Sequence, residues 1–108
     1  LSMLVILGLA RNELTTLDKA IFSLQTHLQV LLLNANRIES IRDGAFMANK
    51  YLKILDLSYN PLRKVRIGMF FGLTHLQGLN LSICKIERIE LMSLDPLIDL
   101  KILDVRSN

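Results

Sequence analysis

The sequence is poor in cysteine, proline, glycine and aromatic residues. Its 108 residues include one cysteine, two prolines, five glycines and no tryptophan, and only 6% are aromatic. A single cysteine excludes a disulfide-stapled small domain and a multi-cysteine zinc site within the chain. The scarcity of proline and glycine excludes collagen-like and linker compositions. Since no apolar run approaches the roughly 20 residues that cross a bilayer, we expect no membrane insertion within this segment.

Charge of either sign is also moderate. Thirteen basic and ten acidic residues leave a net charge of +3, which is weaker than that of a dedicated nucleic-acid-binding domain. The apolar share of 51% is too high for a disordered chain. Length and composition therefore indicate one folded domain or part of one.

Leucine is abundant, at 24 of the 108 residues, and it recurs with a period of 24 positions. One column of the repeat contains Leu4, Leu28, Leu52, Leu76 and Leu100. Aligned on this column, the chain reads as copies of LxxLxLxxNxLxxLxxxxFxxLxx. Four complete copies occupy residues 4–27, 28–51, 52–75 and 76–99. Residues 1–3 fit the end of a preceding copy and residues 100–108 the start of a fifth, so self-similarity accounts for the whole chain.

Two other columns predict how the repeats hold together. The asparagine column contains Asn12, Asn36, Asn60, Cys84 and Asn108. A side-chain amide can both donate to and accept from buried backbone groups where the chain turns. The phenylalanine column contains Phe22, Phe46 and Phe70, with Leu94 in the fourth copy, and we expect these rings to stack. Cys84 is expected to be a small buried substitute for asparagine; the alternative is a reactive or metal-bound thiol.

These columns are where the sequence resembles the leucine-rich repeat superfamily. The 24-residue length and the phenylalanine column are similar to the typical extracellular subtype, as in Toll-like receptor ectodomains and secreted insect leucine-rich immune proteins. The resemblance implies an α/β-type solenoid: a right-handed arc with a parallel β-sheet on its concave face and mostly irregular or short helical return segments on its convex side. Extracellular members usually carry cysteine-rich caps. Because the sequence shows none, we expect an internal segment of one longer repeat domain.

The residue pattern offers no catalytic centre. An enzyme needs a nucleophile, a base or a metal set that converges on one pocket. The glycines are scattered and form no phosphate-binding loop. His27 and His75 occupy equivalent positions two repeats apart, which is too far for a shared metal ion. We therefore expect no catalysis, no cofactor and no metal site.

The columns between the core leucines should face solvent, and their chemistry changes from repeat to repeat. A constant scaffold with a variable face is typical of partner recognition. We predict that a protein ligand or co-receptor contacts Ile6, Leu32, Asn34, Ile54, Asp56, Ser58, Tyr59, Asn80, Ser82, Asp104 and Arg106. The apolar first two rungs favour a hydrophobic partner surface or another copy of the protein, giving a homo- or hetero-oligomer. Alternatively, the column of Ile6, Val30 and Ile54 packs sideways within the sheet.

A second surface feature is a basic flank just after the strands. It consists of Arg37, Arg42, Arg63, Lys64, Arg66, Lys85 and Arg88. Such a flank could bind a sulfated glycan or another polyanion. The alternative is a row of solvated charges that pair with the interleaved Glu39, Glu87 and Glu90.

The triplet Asn80-Leu81-Ser82 is an N-glycosylation sequon on the fourth rung. It agrees with the extracellular location that the resemblance implies. The resemblance favours the ligand-recognition part of an extracellular receptor or of a secreted innate-immune recognition protein. An adhesion or matrix-organising protein is the alternative, and an intracellular scaffold is the third interpretation.

Overall fold

The structure is a computed structural model that describes residues 3–108. Within that range it contains nine short strands and no helix. The strands are β1 (Ile6–Gly8), β2 (Thr16–Leu17), β3 (Val30–Leu32), β4 (Ser40–Ile41), β5 (Ile54–Asp56), β6 (Lys64–Val65), β7 (Gly78–Asn80), β8 (Arg88–Ile89) and β9 (Ile102–Asp104). Leu1 was assigned from the sequence to the end of a preceding repeat, and it lies outside the described residues.

One strand from each repeat joins a five-stranded parallel sheet in the order β1-β3-β5-β7-β9. Each residue pairs with the residue 24 positions later: Leu7 lies beside Leu31, and Leu31 lies beside Leu55. These central leucines point into the core, where Leu31 and Leu55 are fully buried. Because no single repeat can cover its own leucines, stacking is what buries them. The parallel-sheet solenoid expected from the repeat is confirmed.

The return segments on the other side of the core are irregular. They consist of turns and two-residue strands, which pair as β2-β4 and β6-β8. Phenylalanine fills the space beneath them. The rings of Phe22 and Phe46 stack with centroids 6.2 Å apart and an interplanar angle of 10°. Phe70 is fully buried in the same column, and Leu94 is half-buried. Of the two forms expected for these segments, the structure has the irregular one.

A left-handed residue precedes each member of the asparagine column. The backbone φ angle there lies between 52° and 60°, at Arg11, Ala35, Tyr59, Ile83 and Ser107. This conformation turns the chain inward at the end of each strand, so the next side chain reaches the backbone of the neighbouring repeat. None of the five residues is glycine, the residue that adopts this region without strain. The hydrogen bonds formed by the next side chain therefore hold each turn in this strained conformation.

Asn60 shows what those hydrogen bonds are. Its Nδ2 donates to the carbonyl oxygens of Leu33 and Leu57 at 3.0 and 2.9 Å. Its Oδ1 accepts from the backbone N–H groups of Asn36 and Ile38 at 3.2 and 3.0 Å. The side chain is 1% exposed. One buried amide thus satisfies backbone groups of two adjacent repeats.

Candidate functional site

The solvent side of the five-stranded sheet carries the variable columns, and we call it the sheet face. Its first column is Ile6, Val30, Ile54, Gly78 and Ile102. Its second column is Gly8, Leu32, Asp56, Asn80 and Asp104. Neighbouring strands lie about 4.8 Å apart, so side chains on adjacent rungs touch. The second column is polar from the third rung onward, whereas isoleucine persists in the first column at Ile54 and Ile102.

A hollow of about 270 Å³ opens around Gly78 in the sheet face. We call it the sheet hollow; it is lined by Leu32, Ile54, Leu55, Asp56, Gly78, Leu79, Asn80, Ile102 and Asp104. Gly78 makes the hollow, because its rung has no side chain where the neighbouring rungs carry Ile54 and Ile102. The structure thus brings five of the residues predicted to bind a partner, Leu32, Ile54, Asp56, Asn80 and Asp104, to one site.

The polar edge of the sheet hollow repeats one local motif. In each of three rungs, the side chain of the second column accepts a hydrogen bond from the backbone N–H two residues later. In two rungs a serine hydroxyl adds a bond: Ser58 Oγ donates to Asp56 Oδ1, and Ser82 Oγ donates to Asn80 Oδ1, both at 2.7 Å. Ser58 and Ser82 are only 5% and 9% exposed. Both serines were predicted as partner contacts. Their hydroxyls instead donate to Asp56 and Asn80 and orient these two side chains.

The two carboxylates of the sheet hollow differ in their charge environment. The guanidinium of Arg106 donates to Asp104 Oδ1 and Oδ2 at 3.0 and 2.8 Å. Hydrogen bonds from the Arg106 side chain and backbone hold the pKa of Asp104 below its ordinary value. Asp56 forms no ion pair with any lysine or arginine among residues 3–108. Asp56 is thus the carboxylate with uncompensated charge.

Other predicted contact residues lie apart from the sheet hollow. Ile6 is 61% exposed at the start of the sheet, and Asn34 follows β3 in a partly exposed position. Tyr59 belongs to a separate hollow of about 250 Å³ at the edge where the strands end, together with Pro61, Ile83 and Lys85. The predicted footprint is therefore divided between the sheet face and this edge.

The opposite edge, where the strands begin, carries a hollow of about 360 Å³. It is lined by His27, Gln29, Tyr51, Lys53 and His75. The Tyr51 and His75 rings lie with centroids 5.9 Å apart, and His75 Nδ1 forms a hydrogen bond of 2.9 Å with the Lys50 carbonyl oxygen. Tyr51 occupies the rung between His27 and His75. The three rings therefore form one column along the edge of the solenoid.

The basic flank is partly neutralised within the chain. Three of its seven cations have carboxylate partners: Arg37 with Glu13 at 3.7 Å, Arg63 with Glu87 at 3.7 Å, and Arg66 with Asp43 at 3.3 Å. Arg66 also donates to the Ile41 carbonyl oxygen at 2.6 Å. Lys64 and Arg88 lie side by side on paired strands. Arg42 and Lys85 are exposed.

Cys84 takes the place of an asparagine in the ladder of buried turns. Its Sγ donates to the Leu57 carbonyl oxygen at 3.1 Å, in the direction that Asn60 Nδ2 takes toward Leu33. The side chain has no exposed surface, and burial raises the pKa of the thiol above its ordinary value. In the described part of the chain, no cluster of histidine, cysteine or carboxylate side chains could hold a metal ion. Cys84 is thus a buried, hydrogen-bonded member of the asparagine column.

Alkylation of Cys84 is expected to be slow in the folded protein, because both burial and the raised pKa suppress the reactive thiolate. At pH 8, iodoacetamide should label the native protein at least about a hundredfold more slowly than the same protein in urea, since labelling must await local opening. Mass spectrometry over time measures both rates. Equal rates would show that Cys84 is accessible.

Asn49 is a structural residue that the sequence pattern did not reveal. It occupies a column that holds leucine in the third and fourth repeats, Leu73 and Leu97. In the structure it is fully buried, and its Nδ2 donates to the carbonyl oxygens of Phe22 and Gln25 at 3.1 and 2.9 Å. The buried amide ties the second return segment to the first. An asparagine in a leucine column was the available signal.

Comparison with known proteins agrees with the repeat fold. The leucine rich repeat family model matches residues 2–62, 26–86 and 50–108. A search of curated proteins found no match. Among solved structures, the crystal structure of a TLR13–ssRNA13 complex resembles the chain with a TM-score of 0.56 and 24% identity. That match covers 100% of this chain and 22% of the TLR13 chain. A search of the described residues for a helix long and apolar enough to cross a membrane found none.

Proposed function

Because the chain belongs to the leucine-rich repeat family, we propose that it is a non-catalytic protein-recognition solenoid whose sheet face binds a protein ligand or a co-receptor. In this proposal it forms part of the ligand-binding ectodomain of an extracellular receptor, or of a secreted innate-immune recognition protein. An adhesion or matrix-organising protein is the alternative.

The contrast between the two sides of the same strands carries this proposal. On the core side, the central residues of β1, β3, β5, β7 and β9 are all leucine. On the sheet face, the paired column changes from Gly8 to Leu32, Asp56, Asn80 and Asp104. Packing alone would tolerate one repeated polar residue at these solvent-facing positions. Their variety supports a face whose chemistry is matched to a partner.

The partly neutralised flank favours the sheet face over a polyanion site. Ion pairs with Glu13, Asp43 and Glu87 reduce the field that a sulfated glycan or a nucleic acid would need. The sheet face offers apolar surface at Leu32 and Ile54 beside polar groups at Asp56 and Asn80. A central apolar patch with a polar rim is the usual anatomy of a protein interface.

Replacing Leu32 with arginine and Asn34 with glutamate is expected to weaken partner binding at least tenfold while the protein stays folded. Both side chains are partly exposed on or beside the sheet face, and new charges on an apolar contact remain unpaired when the partner docks. Binding would be measured by biolayer interferometry. The ligands would be those extracellular and matrix proteins that bind the protein without substitutions.

Leu24→Arg is the matched control, because Leu24 is 73% exposed on a return segment. It should leave affinity within about twofold, and circular dichroism should match for all variants. If Leu24→Arg removed binding and the sheet-face pair did not, recognition would belong to the convex side. A panel on which only matrix proteins bind would favour the adhesion alternative.

A further inference from the structure

The sheet hollow is smaller than the usual pocket for a drug-sized molecule. Pockets that bind drug-sized molecules usually enclose about 300 to 1,000 Å³ and bury most of the ligand. The sheet hollow encloses about 270 Å³ and is open to solvent along the sheet. One long side chain of a partner fits this size and shape.

The walls of the sheet hollow select an apolar stem. Ile54 and Ile102 stand on either side of Gly78 in one column. An added Cβ at Gly78 would lie 3.0 Å from Ile54 Cδ1, so the isoleucine side chain already leans over the glycine. Ile54 and Ile102 are 41% and 70% exposed, and a methylene chain laid between them would cover apolar surface on both.

The polar edge of the same hollow selects a cation. Its side chains offer oxygen acceptors: the carboxylates of Asp56 and Asp104 and the amide oxygen of Asn80. Both hydrogen bonds from Ser58 go to Asp56 Oδ1, which leaves Oδ2 to a ligand. Asp104 is already paired with Arg106. The uncompensated charge in the hollow is therefore negative, and it lies at Asp56.

We propose that the sheet hollow binds one cationic side chain, lysine or arginine, of a protein partner. The alkyl stem lies over Gly78 between Ile54 and Ile102, and the charged end binds Asp56. This inference rests on the proposed function, because it names the side-chain chemistry that the sheet face recognises.

Gly78 makes the proposal testable without unfolding the protein. Gly78→Ile restores the residue type that three of the other four rungs carry in this column. Glycine within a strand loses more conformational freedom on folding than other residues, and the exposed Ile54 side chain can rotate away from the new Cβ. The variant should therefore melt about 4 °C higher than the unchanged protein while its hollow is filled.

The probe is n-butylguanidinium, titrated into ¹⁵N-labelled protein while amide chemical shifts are recorded at pH 7. We expect saturating shifts at Gly78 and Asn80 at millimolar concentrations. Asp56→Asn should weaken binding about fivefold, the upper range for a partly exposed ion pair. Gly78→Ile should abolish the shifts. Pentan-1-ol and pentanoate, which carry a similar stem without the positive charge, should bind at least fivefold more weakly.

Several outcomes would overturn the inference. Pentan-1-ol binding as tightly as n-butylguanidinium would show that charge plays no part. Unchanged shifts in Gly78→Ile would place the probe elsewhere, and no shift at 50 mM probe would mean that the hollow holds no such group. A glycan on Asn80 in the native protein, found by glycopeptide mapping, would cover the hollow and exclude this role.

Partner-binding measurements on two sets of variants distinguish failure of this inference from failure of the proposed function. If the Leu32 and Asn34 substitutions abolish partner binding while Gly78→Ile leaves it intact, the sheet face recognises a partner through other residues. If neither set of substitutions changes the affinity for the partner, the sheet face is not the binding surface.

Discussion

Replacing Asn60 with leucine is expected to lower the free energy of unfolding by about 4 kcal/mol. Leucine has a similar size, so the loss comes from hydrogen bonds. The N–H groups of Asn36 and Ile38 would stay buried without their acceptor. The carbonyl oxygens of Leu33 and Leu57 would each lose one donor and keep only the Asn36 amide or the Cys84 thiol. Each orphaned buried group costs about 1 to 3 kcal/mol. Urea denaturation followed by circular dichroism measures the change.

Asn12→Leu is the matched control from the same column. Asn12 is exposed and donates to the carbonyl oxygens of Leu9 and Ala10 at 2.9 and 3.2 Å, both within its own repeat. Water can replace these bonds, so the substitution should cost less than about 1 kcal/mol. Equal losses for both variants would mean that the bridge between repeats contributes nothing beyond the local turn.

The period of 24 residues was enough to predict the parallel sheet. Register follows from it, since a shift of one residue would expose Leu31 and Leu55 and bury the polar Asp56. The same reasoning predicted that Asn36 and Asn60 would bind backbone groups. It did not predict the left-handed turn before each of them. Residues such as Ile83, with φ of 52°, disfavour this conformation, so hydrogen bonds across repeats override local preference there.

The candidate site was predictable in its residues and not in its shape. Alternation along the strands placed Ile54, Asp56 and Asn80 on one face. The hollow depends on Gly78, whose rung has no side chain in the first column, and on the way Ile54 leans over it. The pairing of Asp104 with Arg106 and the engagement of Ser58 with Asp56 depend on side-chain rotamers. The repeat pattern determines which residues share a column. Contacts between neighbouring side chains determine which polar groups remain available to a partner.

In the proposed function, one side of the sheet serves stability and the other serves recognition. Core columns repeat one residue type because every rung buries the same space. Sheet-face columns are free to vary, and Gly78 is a position where the fold would be more stable with the side chain of its neighbours. Glycine there lowers strand stability by about 0.5 to 1 kcal/mol, and the cost is understandable if the open space serves a partner.

Phe46 is the core position whose truncation should disturb the stack most. Its ring is fully buried and stacks on Phe22 at 6.2 Å. Phe46→Ala is expected to lower the free energy of unfolding by about 4 kcal/mol, the typical cost of a cavity left by a buried aromatic ring. Phe46→Leu should cost only about 1 kcal/mol, since Leu94 fills the same column in the fourth repeat. Urea denaturation of both variants tests the difference.

The region of the chain that loses stability distinguishes a solenoid from a globular domain. Each repeat contacts only its neighbours, so Phe46→Ala should weaken the junction between the first and second repeats. Amide hydrogen exchange should accelerate most at Leu7 and Leu17 and least at Leu81. Phe71→Ala is the control: its ring is 42% exposed, and its removal should cost less than about 1 kcal/mol. Uniform acceleration along the chain would mean that the repeats unfold as one unit.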